Sequence, residues 1–169
     1  MKIFALLVAA LVSSTAFGST ITINLVNSTL SGVGGATLTF SGSLTNTTSV
    51  TENLNIPVVN VSSVPPFSHD ETPFFNNAPF FLTANQTTAS FALFTVTIPT
   101  SLALGVYNGA FTILGGPGAN DQAVIGTTTF SVQVVPEPAT WGLMFAALAA
   151  FLVTRRIGND RQLARIPNN

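Results

Sequence analysis

His69-Asp70-Glu71 is the one place in the body of the chain where side chains of catalytic type stand next to each other. An imidazole flanked by carboxylates is the raw material of metal binding or of acid–base chemistry. Three consecutive residues rarely converge on one ion or one proton without ligands from elsewhere, and little is on offer. Between Ser19 and Val135 the only other acids are Glu52 and Asp121, scattered along the sequence. The tripeptide therefore reads as a solvated loop, and His69 beside Asp70 is no evidence of a nucleophilic triad. A second candidate, the run from Gly115 to Asp121 (GGPGAND), is glycine-rich but lacks the Lys and the following helix of a phosphate loop, and reads as a turn. No residue set points to a catalytic role, a metal ion or a cofactor, and the chain reads as a non-enzyme.

Charge narrows the partners. From Ile3 to Thr154 there is no Lys and no Arg, and the body carries four carboxylates, a net charge of −4 with His69 neutral. Nucleic-acid binding needs basic side chains to displace counterions from phosphates, so no nucleic-acid partner is expected. There is no Cys, so neither disulfides nor thiolate chemistry is available and the body must rest on its core. Four Asn-x-Ser/Thr sequons, at Asn27, Asn46, Asn60 and Asn85, arise readily in so Ser/Thr/Asn-rich a chain. The recurrent Thr-x-Thr pairs suit the outer faces of strands.

The elements that would carry these residues are strands. Ile21, Ile23 and Leu25 alternate with polar residues, as do Leu38, Phe40 and Leu44, then Leu54, Ile56 and Val58, then Phe130, Val132 and Val134. In SFALFTVTIP, Phe91 and Leu93 share one parity while Phe94, Val96 and Ile98 share the other, which predicts a β-bulge near Leu93. Tyr107, Gly109, Phe111 and Ile113 fall on one face, and Leu104-Gly105-x-Tyr107 is similar to the tyrosine corner of immunoglobulin-like sandwiches, with Tyr107 buried. Six or seven strands and no amphipathic helix over residues 19–134 predict an all-β fold, an immunoglobulin-like antiparallel β-sandwich, with a jelly roll or β-solenoid as the alternatives. Residues 64–83, with four prolines and five phenylalanines, read as a long irregular segment. Its rings either plug the open end of the sandwich or form an exposed apolar patch for a partner.

The two ends read as addresses. Lys2, the apolar run from Ile3 to Val12, and small residues at Ala16 and Gly18 make residues 1–18 a signal peptide cleaved between Gly18 and Ser19. Residues 139–154 (ATWGLMFAALAAFLVT) are uncharged and helix-forming, which predicts a single C-terminal transmembrane helix. Trp141 stands at its outer edge and Arg155-Arg156 at its inner edge, so the body lies outside and residues 157–169 form a cytoplasmic tail. At 1.5 Å per residue the helix covers about 24 Å against a hydrocarbon core of roughly 30 Å, which suits a temporary anchor.

Between strand and helix stands Val135-Pro136-Glu137-Pro138. Together with Thr140, Trp141, the apolar run and Arg155-Arg156, it resembles the PEP-CTERM sorting signal of secreted Gram-negative proteins, a segment also labelled as the C-terminal domain of ice-binding proteins. The resemblance covers about residues 135–156; the chain departs from the pattern in continuing for thirteen residues after Arg156. It implies handling by an exosortase-type membrane peptidase at the inner membrane, with Pro136, Glu137 and Pro138 as the recognition element. It further implies removal of the helix and delivery to the cell surface or the exopolysaccharide matrix. The expected role is then a non-enzymatic surface or matrix protein, with a carbohydrate-binding or adhesion module as the alternative. Sheet edges without Lys also predict some self-association.

Overall fold

The computed structural model describes residues 19–137, 142–148 and 151. Nine strands form among the described residues: β1 (Ile21–Leu25), β2 (Thr29–Gly32), β3 (Thr37–Asn46), β4 (Glu52–Val61), β5 (Ser68–Asp70), β6 (Phe81–Leu82), β7 (Phe91–Thr97), β8 (Gly105–Gly116) and β9 (Ala123–Val134). They build two sheets, in the order β1-β3-β7-β5 and β2-β9-β8-β4-β6, packed as a sandwich. The inward apolar residues of β1 and of the five long strands β3, β4, β7, β8 and β9 meet between the sheets. Phe40 and Phe94 from one sheet and Phe111 and Phe130 from the other are all buried. Their ring centroids lie 4.7–5.0 Å apart across the Phe94–Phe111, Phe40–Phe130, Phe40–Phe94 and Phe94–Phe130 contacts. Rings in such stacked and tilted contacts contribute beyond the area they bury.

The expected bulge is present: Phe40 pairs with Phe94 and Ser41 with Ala92, leaving Leu93 as the extra residue. Leu93 and Phe94 are then both buried. The expected corner is present too, since the Tyr107 hydroxyl donates to the Ala103 carbonyl at 2.9 Å. Tyr107 is half-buried rather than buried, with its ring edge-on to Phe67 at 5.5 Å. Gly109 lacks a side chain for a steric reason: a Cβ there would overlap the Phe130 ring and the Asn60 carbonyl. Facing threonines hydrogen-bond across strands, Thr37 with Thr97 at 2.8 Å and Thr112 with Thr127 at 3.2 Å, which is the stabilising role such pairs have on an outer face.

Three expectations of architecture are corrected. The sandwich is not wholly antiparallel, because β2 runs parallel to β9. The chain leaves β1 at Val26, whose N–H still donates to Ser41 in the first sheet, and by Ser28 it accepts from Ser131 in the second. It switches sheets without reversing, so it must lie parallel to the last strand. On β4, Leu54 is buried but Ile56 and Val58 face outward, and Pro57 and Val59 take the inner positions. The cause is a bulge at Asn55, where Leu54 pairs with Gly115 but Ile56 with Leu114. Pro57 is tolerated because β6 pairs only with Glu52 and Asn53, which leaves the rest of β4 as an edge without neighbours to bond.

The third correction concerns residues 64–83, which are not irregular throughout. They contain β5, the short helix α1 (Thr72–Asn77) and β6. Pro73 sits in the first turn of α1, where its missing N–H costs nothing, and Asp70 accepts the Thr72 N–H at 2.9 Å. Asn46, one of the four sequon residues, is fully buried. Its Nδ2 donates to the carbonyls of Val50 (2.7 Å), Leu82 (3.0 Å) and Thr83 (3.1 Å), and its Oδ1 accepts from Thr48. It ties the β3–β4 turn to β6 and has no room for a glycan. Among the described residues, no helix is long and apolar enough to cross a membrane. Residues 142–148 and 151 are helical and exposed, and the rest of the expected 139–154 span lies outside the described residues.

Candidate functional site

The five phenylalanines of residues 64–83 divide between the two fates open to them. Phe67 and Phe74 are buried and close the sandwich; Phe74 meets Phe91 and Phe111 at centroid distances of 6.4 and 6.1 Å. Phe75, Phe80 and Phe81 remain exposed, at 62%, 88% and 50%. The difference is set by α1: a six-residue helix turns Phe74 into the core and its neighbour Phe75 out of it.

Phe75 and Phe80 form one wall of a groove of about 560 Å³. Its floor is Asn53, Leu54 and Asn55 on β4, and its other wall is residues 119–122 in the β8–β9 turn. The bulge at Asn55 serves this arrangement by re-aiming the amide, whose Nδ2 donates to the Asp121 carbonyl at 2.7 Å. The Asn53 Nδ2 donates to Gly116 and Pro117 at 3.1 and 2.9 Å. The turn is closed by Asp121, which accepts the Gly118 N–H at 2.7 Å. Three separate bonds thus lash the glycine-rich turn to β4. Gly116, at φ 150°, allows the chain to enter that turn. Asn120, Asp121 and Gln122 are exposed along the groove. Aromatic faces opposite amide and carboxylate groups can hold a ligand that has apolar C–H faces and a rim of hydroxyls.

The groove lies at the start of β9, and the chain leaves for its C-terminal segment at the other end. Twelve residues of β9 separate Ala123 from Val134, about 40 Å at strand rise. Of the residues expected to carry the sorting signal, Pro136 and Glu137 follow β9 directly and are exposed, after a last sheet bond from the Val135 N–H to Gly32. Pro138, Trp141, Arg155, Arg156 and Gly18 lie outside the described residues. Ser19 is described, and its hydroxyl bonds the Ile21 and Ile125 carbonyls at 2.8 and 3.0 Å.

His69, Asp70 and Glu71 do not converge. His69 Nδ1, on the edge strand β5, pairs at 2.8 Å with Oε1 of Glu71, just beyond the strand. Asp70 turns instead to Thr72, whose hydrogen bonds hold its carboxyl below the ordinary value. No group of three or more His, Asp or Glu side chains suited to a metal occurs among the described residues. Glu52 and Asp121, scattered in sequence, line one cleft of about 220 Å³ with Thr20, Val124 and Ile125. Glu52 is 2% exposed. Burial first, and the Asp121 charge second, push its carboxyl above the ordinary value. Sequence reasoning missed Asn53, Asn55, Asn120 and Gln122; the only signal was a Pro-Phe-Phe repeat, Pro73-Phe74-Phe75 and Pro79-Phe80-Phe81, in a chain with asparagines at 53 and 55.

No family model matches the chain, and no curated protein matches it. Solved structures resemble it distantly. The secreted serine protease VesC from Vibrio cholerae is 12% identical with a TM-score of 0.47, over 74% of this chain and 25% of that one. A family 123 glycoside hydrolase from Clostridium perfringens is 14% identical, TM-score 0.40, over 65% and 23%. A type I cohesin–dockerin complex from Clostridium thermocellum contains a chain 12% identical, TM-score 0.34, over 69% and 99%. The chain thus spans about a quarter of the length of the first two.

Proposed function

We propose that this chain is a non-enzymatic, secreted surface or matrix module, held first at the inner membrane and sorted through Pro136-Glu137-Pro138, the helix and Arg155-Arg156 by an exosortase-type peptidase. The observation that carries this reading is the exposure of Pro136 and Glu137 immediately after β9, followed by exposed apolar residues Leu143, Met144, Phe145 and Leu148 in a helical stretch. A membrane peptidase needs such a segment outside the folded body. Pro136 keeps β9 from continuing, and Glu137 suits the positive end of a following helix. The test is the C-terminal mass of the mature protein in surface fractions, which is expected to lack residues 139–169.

The immunoglobulin-like reading of the sandwich is supported by the strand orders, by the parallel β2–β9 pair and by the Tyr107 corner. A second reading, binding of matrix polysaccharide, is favoured by the groove between Phe75, Phe80 and the Asn53, Asn120 and Gln122 amides. The groove sits at the end away from the sorting segment, where a tethered module meets its surroundings. With no Lys or Arg from Ile3 to Thr154, the ligand chemistry is neutral hydroxyls rather than phosphate or sulfate. Retention on the host exopolysaccharide, lost in Phe75→Ala/Phe80→Ala, is the test. Lateral self-association is supported by the open edge of β4 beyond Asn53, with Ile56 and Val58 exposed. Sedimentation of the purified protein at high concentration checks it, and a clean monomer speaks against it.

A further inference from the structure

We propose that Glu52 and Asp121 hold a divalent cation of the calcium class in the cleft between the start of β4 and the β8–β9 turn. Glu52 is 2% exposed, and its Oε2 has no hydrogen-bond partner. A carboxylate oxygen buried without a partner forfeits its hydration and gains nothing in return. The usual remedy, a Lys or Arg from the same domain, does not exist here, because none occurs from Ile3 to Thr154. His69 is engaged with Glu71 on another strand. Glu52 can stay ionised there only with a positive charge from outside the domain; without one it keeps its proton.

The cleft selects what that charge can be. Glu52 and Asp121 both line it, and every polar group around it is an oxygen or a backbone group. Oxygen-only donors of this kind suit hard cations, calcium above the softer transition metals. Asp121 gives one oxygen to the Gly118 N–H and retains the other. Two carboxylates leave most of the coordination sphere to water. A cleft of about 220 Å³ has room for an ion with several waters at roughly 30 Å³ each. A lysine from a partner chain would need to thread its whole side chain in to reach so buried a group, whereas an ion is small enough for the cleft. Asp121 also lines the groove, so a bound ion would fix the turn that forms the groove wall. The cation site does not depend on what the groove binds.

The test is thermal unfolding of the full chain in mild detergent, stripped with EDTA and then given about 10 mM CaCl₂. For a site of about 1 mM affinity, typical of extracellular modules, Tm is expected to rise by about 5 °C. The shift falls below about 1 °C in Glu52→Gln and in Asp121→Asn, and MgCl₂ gives a smaller one. A wild-type shift below about 1 °C, or an equal shift in Glu52→Gln, overturns the proposal and leaves Glu52 as a buried protonated acid. Equilibrium dialysis against radioactive calcium gives a readout that needs no variant. One ion per wild-type chain supports the site, and no saturable binding overturns it.

Discussion

Truncating the phenylalanines of residues 64–83 one at a time separates rings that hold the fold from rings that are offered to a ligand. Phe74 is 2% exposed, Phe75 62% and Phe80 88%. Full burial of a Phe side chain is worth about 2.5 kcal/mol. Phe80 hides about an eighth of itself, so Phe80→Ala should cost about 0.3 kcal/mol, and Phe75→Ala about 1 kcal/mol. Phe74→Ala removes nearly the whole transfer term and leaves a cavity against Phe91 and Phe111, about 4 kcal/mol in total. For a domain of roughly 120 residues, each kcal/mol moves Tm by about 4 °C. Melting followed by circular dichroism should therefore show drops of about 1, 4 and 16 °C for Phe80, Phe75 and Phe74. Polysaccharide retention should move independently: Phe80→Ala, nearly silent in the melt, should weaken binding about tenfold. A Phe80→Ala variant that melts several degrees lower, or that binds like the wild type, refutes the assignment of this wall to a ligand.

Other expectations follow from single contacts. Tyr107→Phe deletes the bond to Ala103 and should cost about 1 kcal/mol in a urea titration, with polysaccharide retention unchanged. Asn46→Ala strips five bonds from a fully buried side chain and should cost about 3 kcal/mol, lowering the urea midpoint without changing its slope. Glu52, whose carboxyl is pushed above its ordinary 4.5, binds its proton more tightly folded than unfolded. In EDTA its contribution is full below pH 4.5 and is lost as pH rises through the raised value, and Glu52→Gln should flatten that fall. Asp70, held below 3.8 by Thr72, acts in the opposite sense, and its contribution is lost only as pH falls through its lowered value.

The long strands were legible because alternation over seven or more residues admits one inward face. At Leu93 the parity flips inside a continuous apolar run, so the bulge announced itself. At Asn55 it did not: Leu54, Ile56 and Val58 offer one apolar face and Pro57 and Val59 the other, so either assignment satisfies the pattern. Only pairing with Leu114 and Gly115 decides between them. β2, β5 and β6, at four, three and two residues, are too short to show a period. The groove was half legible. The Pro-Phe-Phe repeat marked one wall, but the facing amides come from a strand and a turn that only the sandwich brings together. Glu52 read only as an isolated acid, since nothing local distinguishes a carboxylate at an exposed strand start from one folded beneath a turn.

The central claim is that this sandwich is a sorted surface module, and the mass of the mature protein tests it most directly. Intact-mass and C-terminal peptide analysis of the protein recovered from the surface or matrix fraction should find the body from Ser19 onward without residues 139–169. Surface-fraction protein that begins at Ser19 and still carries Trp141, Arg155, Arg156 and the tail to Asn169 would contradict the account.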